Sequence, residues 1–127
     1  MQKAEIRRAR FWNGQSSSRS GLSDYIYVAL PKSTESQILG KQVLRSGTSV
    51  GAQCREGHRS RSKAEFISKM NGALMELEET SYWLELLTDT KIMSAARLTD
   101  LRVEAGELTA IIVTIIKNTK RKAEDRK

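Results

Sequence analysis

The fold of this chain depends on the stretch Arg45-Ser46-Gly47-Thr48-Ser49-Val50-Gly51-Ala52-Gln53-Cys54-Arg55-Glu56-Gly57-His58-Arg59. Five of its first eight residues are Gly, Ser or Ala, and the stretch then becomes basic. Glycines in such a sequence permit two interpretations. They can let two helices approach closely, or they can let a phosphate approach backbone N–H groups. The residues on either side of the stretch decide between the two.

The overall composition is that of a small basic protein. Its 127 residues suffice for one domain with a core, and the single proline, Pro31, suits long helices better than a turn-rich β fold. The formal net charge of +7 makes an acidic polymer the expected partner, with RNA or DNA first and an anionic membrane surface second. A basic protein with no such partner is the alternative that charge alone leaves open.

The cysteine content and the apolar runs indicate the compartment. Cys54 is the only cysteine, so an intrachain disulfide and a cysteine-built metal site are both excluded. The N-terminus has no apolar run of signal-peptide length, and the longest apolar run, residues 110–116, is too short to span a membrane. We therefore expect a cytoplasmic protein with no membrane segment.

Apolar residues recur at helical spacing in four segments. The first is a weak helix predicted from Leu22 to Leu30, where Pro31 ends it. The second begins near Ser33 or Thr34. Its apolar and small-residue face consists of Leu39, Val43, Ser46 or Gly47, Val50 and Cys54.

Two further helices follow a break at residues 57–62, where Ser62-Lys63-Ala64-Glu65 fits a capping box. The third helix carries Phe66, Met70, Ala73, Leu77, Ser81 and Leu84, widened by Ile67, Leu74 and Leu87. The last helix begins near Ser94, and its seam comprises Leu98, Leu101, Ala105, Leu108, Ile112 and Ile115. Together the segments predict an all-α, antiparallel up-down four-helix bundle with a short or irregular first helix.

The charges divide the chain into three predicted regions: a basic flexible arm at residues 1–20, the helical bundle at 21–120 and a basic tail at 121–127. The arm carries a net charge of +4, residues 62–90 carry −4, and the final eleven residues carry +4. This segregation favours a polyanion bound at the basic end of the bundle. Phe11 and Trp12 in the arm can stack on bases or pin the arm to the core, and their spacing does not separate these roles.

The small-residue stretch does not fit a phosphate loop. Such a loop requires a lysine after its second glycine and a strand before its first, and the residues around Gly47 and Gly51 provide neither. On a helix, two glycines four residues apart lie on one face. Close helix packing is therefore the favoured interpretation, and it must offset a propensity cost of about 1 kcal/mol for each glycine.

No arrangement of residues supports catalysis. His58 is the only histidine and has no second strong ligand pattern beside it. Cys54 falls on the apolar seam, where a cysteine usually behaves as a small hydrophobic residue. Glu76, Glu78 and Glu79 fit a solvated face or a partner's basic patch better than an acid–base pair. We therefore expect no enzymatic activity, no metal and no cofactor.

Several motifs together resemble a known family. They are Ala29-Leu30-Pro31-Lys32, Gly40-Lys41-Gln42-Val43-Leu44-Arg45-Ser46-Gly47-Thr48-Ser49-Val50-Gly51-Ala52, Arg55-Glu56-Gly57, Arg61-Ser62-Lys63-Ala64-Glu65-Phe66-Ile67-Ser68-Lys69-Met70 and Glu78-Glu79-Thr80-Ser81-Tyr82-Trp83-Leu84-Glu85-Leu86-Leu87. With these motifs, roughly residues 29–116 resemble the four-helix bundle proteins related to those encoded in 23S ribosomal RNA intervening sequences. The chain is also similar to the accessory subunit of diversity-generating retroelements.

The resemblance implies an antiparallel four-helix bundle that forms a homo-oligomer, with homopentamers among the relatives. Through the retroelement accessory subunit it also implies binding to a reverse transcriptase and to nucleic acid. Two features depart from the family pattern. Gln53 stands where the family usually has Asn, and the match stops near Leu22, where a serine-rich linker replaces the start of the family's first helix.

The sequence therefore predicts a non-enzymatic, oligomeric helical bundle that binds RNA or DNA through a basic end. The predicted nucleic-acid-binding residues are Arg45, Arg55, His58, Arg59, Arg61, Lys63, Lys120, Arg121 and Lys122. Phosphate contacts of this kind are tolerant of sequence and strongly dependent on salt. The alternative function is a protein–protein adaptor that docks a partner such as a reverse transcriptase.

Overall fold

A computed structural model describes residues 32–93 and 95–125, which form three helices. Helix α1 spans Thr34–His58, α2 spans Lys63–Asp89 and α3 spans Ala95–Glu124. Helix α2 packs against both α1 and α3. These ranges contain no β-strand, which confirms the all-α class. The predicted arm and first helix lie outside the described residues, so the fourth helix of the bundle stays a prediction.

Helix α3 extends further than the bundle limit predicted at residue 120. It continues through the basic residues Arg121 and Lys122, which occupy its last turn, and ends at Glu124. Cations are favoured in the last turn of a helix because the carbonyl groups there carry partial negative charge. Of the helices in the described ranges, none combines the length and the apolar character needed to cross a membrane.

Serine side chains set the starts of α1 and α2. Ser33 is the N-cap of α1, and its Oγ accepts a hydrogen bond from the Ser36 backbone N–H at 3.2 Å. Ser62 is the N-cap of α2, and its Oγ accepts from the Glu65 N–H at 3.1 Å. The predicted capping box is thus confirmed with one difference. The Glu65 carboxylate accepts from the N–H of Arg61, one residue before the cap, at 3.1 Å.

The core lies between the apolar faces of the three helices. Its buried members are Val43, Val50, Cys54, Met70, Ala73, Leu77, Leu84, Leu87, Met93, Leu98, Leu101, Ala105, Leu108, Ile112 and Ile116. The predicted seam of α3 is wrong at one position, because Ile116 is buried and Ile115 only half-buried. At 3.6 residues per turn, a residue four positions after Ile112 points about 40° from it and a residue three positions after it about 60°. Ile116 therefore lies closer to the buried direction.

On α2, the predicted core position Ser81 is half-buried, whereas its neighbour Thr80 is fully buried. The Thr80 hydroxyl donates to Ser46 Oγ on α1 at 2.7 Å, and Ser46 Oγ donates to the Gln42 carbonyl oxygen at 2.9 Å. Both hydroxyls are therefore satisfied inside the protein, as buried polar groups need to be. Apolar periodicity does not identify Thr80, because its place in the core depends on a partner in another helix.

The small residues of the central stretch lie within α1, as their close-packing interpretation requires. Gly47 and Gly51 are both buried in the middle of a 25-residue helix, which excludes a phosphate loop at this position. Across the α1–α2 contact, a Cβ atom added to Gly72 would lie 3.0 Å from Cδ of Gln53. Gly72 therefore has little room for a side chain while the Gln53 amide lies over it.

We expect Thr80→Val to lower the free energy of unfolding by about 1 kcal/mol, since it keeps the shape of the side chain and removes the donor to Ser46. Chemical denaturation monitored by circular dichroism measures the change. The double variant Ser46→Ala/Thr80→Val should cost less than the sum of the two single variants, because each single variant already removes the one hydrogen bond that the two hydroxyls share.

Thr114→Val is the matched control. Thr114 is exposed on α3, and its hydroxyl donates only within its own helix, to the Ala110 carbonyl oxygen at 2.8 Å. Its substitution should change the free energy of unfolding by less than about 0.5 kcal/mol. Equal losses in Thr80→Val and Thr114→Val would show that the contact between the helices contributes nothing of its own.

Candidate nucleic-acid interface

Contacts between α1 and α2 define an antiparallel register. Ser46 meets Thr80, and further along α1, Glu56 meets Lys69, so residue numbers fall on α2 as they rise on α1. Helix α3 packs on α2 after a short connection and therefore runs back in the direction of α1. The end of α1, the start of α2 and the end of α3 thus meet at the same end of the bundle.

This arrangement brings eight of the nine predicted binding residues to one end, which we call the basic end. They are Arg55, His58, Arg59, Arg61, Lys63, Lys120, Arg121 and Lys122. Lys63 is half-buried and the other seven are exposed. Within the described ranges, no carboxylate forms an ion pair with any of the eight. Their charges are therefore available to an external anion.

Few carboxylates oppose these cations. Residues 55–69 and 117–125 together contain nine Lys and Arg against four Asp and Glu. Two of the four already have partners, because Glu56 accepts from Lys69 Nζ at 2.8 Å and Glu65 accepts from the Arg61 backbone. The hydrogen bond and charge of Glu56 raise the pKa of Lys69. The basic end therefore carries a net positive charge across the physiological pH range.

An open depression of about 360 Å³ lies at the turn between α1 and α2. It is lined by Gly57, His58, Ser60, Arg61, Ser62, Lys63 and Phe66. The three basic residues of this set were predicted from the sequence, whereas the depression itself was not. Phe66 was assigned to the apolar stripe of α2, where it is in fact only half-buried. Phe66 lies four residues after the N-cap Ser62, and this spacing could have predicted its place beside the turn.

Arg45 lies apart from the basic end. Arg55 follows it by ten residues on the same helix, which is about 15 Å at the rise of an α-helix. Its guanidinium pairs with the carboxylates of Glu79 and, at 3.5 Å, of Glu76, both on α2. The sequence predicted a solvated face or contact with a partner's basic patch for these two glutamates. In the structure, the positive charge of Arg45 is balanced within the chain by these two carboxylates of α2.

The remaining candidates for chemistry are separated by the fold. Cys54 lies in the core with 2% of its surface exposed, whereas His58 is exposed at the end of α1. In the part of the chain that the structure describes, no group of three or more His, Cys, Asp and Glu side chains is placed to hold a metal ion.

Comparison with known proteins identifies relatives that share this architecture. A crystal structure of a protein of unknown function from the S23 ribosomal protein family of Bacteroides thetaiotaomicron superposes with a TM-score of 0.74 at 31% identity, covering 89% of this chain and 98% of that chain. No match was found among curated proteins. The profile of the 23S rRNA-intervening sequence protein family matches residues 17–114, which include the α1–α2 part of the basic end. The chain therefore belongs to the 23S rRNA-intervening sequence protein family.

Proposed function

We propose that this protein is a non-enzymatic, cytoplasmic helical bundle that binds RNA or DNA through its basic end. The observation that carries the proposal is the meeting of eight cationic or titratable side chains at one end of the bundle. None of them is paired with a carboxylate of the described residues. Exposed, unpaired cations on three chain segments are suited to contacts with several phosphates at once.

The geometry favours contacts with the phosphate backbone over contacts with base edges. Arg55 and Arg59 lie at the end of α1, whereas Arg61 lies in the turn that follows it. Long side chains at helix ends can follow an irregular line of phosphates, whereas a groove reader presents side chains along the length of one helix. We therefore propose recognition of nucleic acid by charge and shape, with little preference for sequence.

We further propose that the bundle acts as a homo-oligomer, with the pentamer implied by its family resemblance as the expected form. Exposed apolar side chains on all three helices support self-association, since they are large and lie outside the core. They are Ile38, Met75, Tyr82 and Val103, each at least 55% exposed. An oligomer would multiply the number of basic ends and so strengthen binding to a long polyanion.

One surface favours the second candidate function, a protein–protein adaptor in the manner of the retroelement accessory subunit. Met75, Glu78, Tyr82 and Glu85 follow one another at helical spacings of three and four along α2, and all four are exposed. Apolar and aromatic side chains among carboxylates are typical of a surface that contacts protein. A basic protein partner such as a reverse transcriptase would fit it by charge.

Capture of partners from the native host separates the two functions. If the chain acts on nucleic acid directly, nuclease treatment should remove most of the captured material, because the phosphates bridge the complex. A protein partner that stays bound after nuclease, and is lost in Met75→Glu/Tyr82→Glu, would instead establish the adaptor function. A reverse transcriptase gene beside this one would favour the same conclusion, whereas an insertion within ribosomal RNA would favour the family's namesake context.

Charge reversal tests the basic end directly. We expect Arg59→Glu/Arg61→Glu to weaken binding of a structured RNA by about tenfold or more in an electrophoretic shift assay. The slope of the logarithm of affinity against the logarithm of salt concentration should fall by about two, one for each lost phosphate contact.

Lys41→Glu/Arg102→Glu is the matched control for that experiment. Both residues are exposed and lie outside the basic end, and the double change alters the net charge equally. Equal weakening in the two double variants would mean that net charge alone drives binding. An affinity of the wild type that barely changes between low and moderate salt would contradict the phosphate mechanism. Light scattering on the same samples gives the subunit number, and a monomer would contradict the proposed oligomer.

We expect Arg45→Gln to leave RNA affinity within about twofold of the wild type, because Glu76 and Glu79 already balance its charge. The same change should lower the free energy of unfolding by about 0.5–1 kcal/mol, since the buried Oε2 of Glu76 loses its neighbouring cation. Lys41→Gln, the same loss of charge on the same helix, serves as the control. Loss of RNA binding in Arg45→Gln alone would place Arg45 in the interface after all.

A further inference from the structure

The depression at the basic end combines an aromatic ring with cationic side chains. Phe66 packs against the core with part of its surface and lines the depression with another part. Gly57 stands beside it, and a Cβ atom added there would lie 3.7 Å from Cδ2 of the ring. The same Cβ atom would lie 3.4 Å from Lys69 Cβ and from Met70 Sδ, so the absence of a side chain at Gly57 lets α1 lie against this part of α2.

Some polar groups of the depression already form hydrogen bonds within the chain, and others do not. Ser60 Oγ donates to the Gly57 carbonyl oxygen at 2.5 Å, and Ser62 Oγ accepts from the Glu65 N–H. The Arg61 backbone N–H is likewise taken by the Glu65 carboxylate. The side chains of Arg61 and Lys63 have no such partner among the described residues. An anion here would therefore be met by the cationic side chains of Arg61 and Lys63.

An aromatic face beside unpaired cations is the combination that single-stranded nucleic acids use. A base can stack on the ring while its phosphate pairs with the cations, and stacking of this kind tolerates any base. A volume of about 360 Å³ falls at the lower end of the range for small-molecule pockets, so the depression has room for one nucleotide rather than a helix. Bases within a duplex stay stacked on their neighbours and cannot reach such a ring.

We propose that this depression binds one unpaired nucleotide, with the base against Phe66 and the phosphate at Arg61 and Lys63. The inference rests on the proposed function and deepens it, because it names unpaired nucleotides in single strands, loops or bulges as the preferred ligand of the basic end. Duplex segments bind through the remaining cations alone. The protein therefore binds a single strand more tightly than a duplex with the same number of phosphates.

Phe66→Leu tests this by removing the ring and keeping an apolar side chain of similar size. The probes are a single-stranded oligonucleotide and a hairpin duplex with equal numbers of phosphates, each carrying one 2-aminopurine. The variant should bind the single strand about fivefold or more weakly and lose the quenching of 2-aminopurine fluorescence that stacking produces. Its affinity for the duplex should stay within about twofold of the wild type.

Phe66→Tyr and Thr114→Val are the controls. Phe66→Tyr keeps a ring in the depression and should retain both affinity and quenching. Thr114→Val alters an exposed side chain of α3 that belongs neither to the basic end nor to the exposed apolar surface, and it should change neither. Thermal melting followed by circular dichroism verifies that each variant is folded.

The outcomes distinguish the inference from the function on which it rests. If the wild type binds both probes and Phe66→Leu changes neither affinity, or lowers both equally, the inference is overturned and the proposed function stands. A wild type that binds the duplex at least as tightly as the single strand has the same consequence. If the wild type binds neither probe, the proposed function fails and the inference fails with it.

Discussion

Where α1 meets α2, the buried hydroxyl of Thr80 donates to Ser46 at 2.7 Å, and the two glycines that follow Ser46 on α1 are themselves buried. The hydrogen bond between the helices has a strong positional requirement, because a shift of one helix turn would break it and leave each hydroxyl only the carbonyl acceptor of its own helix. Apolar contacts alone tolerate such shifts more readily. The polar contact therefore favours one register of the two helices, in which Gly72 lies against the side chain of Gln53.

This register determines which charges cancel. Thr80 opposite Ser46 brings the acidic half of α2 alongside the first half of α1, where Glu76 and Glu79 pair with Arg45. The same register brings the start of α2 alongside the end of α1, where the residues facing each other are mostly basic. One pair, Glu56 with Lys69, crosses between the helices there. Segregation of charge along the sequence thus becomes segregation of charge between the two ends of the bundle.

Much of this could be predicted from the sequence because helices are local structures. The N-caps Ser33 and Ser62 and the apolar seams depend on residues within one or two turns, and they were predicted nearly to the residue. The sequence did not reveal what depends on contact between helices. Thr80 as a core residue and the pairing of Arg45 both require the register of α1 against α2. That register depends on contacts between residues far apart in the chain, and a single sequence carries no direct record of them.

The basic end was predicted in part for the same reason. Sequence order alone shows that Arg55, Arg59 and Arg61 lie close together, because they belong to one turn and to the residues on either side of it. It does not show that Phe66 and Gly57 line one depression, or that residues 120–122 reach the same end of the bundle. The helical periodicity predicted the all-α class, and the structure located the binding candidates within the three described helices.

The stretch from Arg45 to Arg59 therefore has two roles, and the charge of α2 divides them. Beside the first half of this stretch, α2 presents carboxylates, which neutralise its one arginine, Arg45. The small residues of the same half are free to pack. Beside the second half, α2 presents Phe66 and Lys63 at the turn, so the arginines there remain unpaired within the described chain. Unpaired like charges at one end repel one another and cost stability. Their accumulation beside an open aromatic ring is therefore better explained by a polyanionic ligand than by the demands of folding.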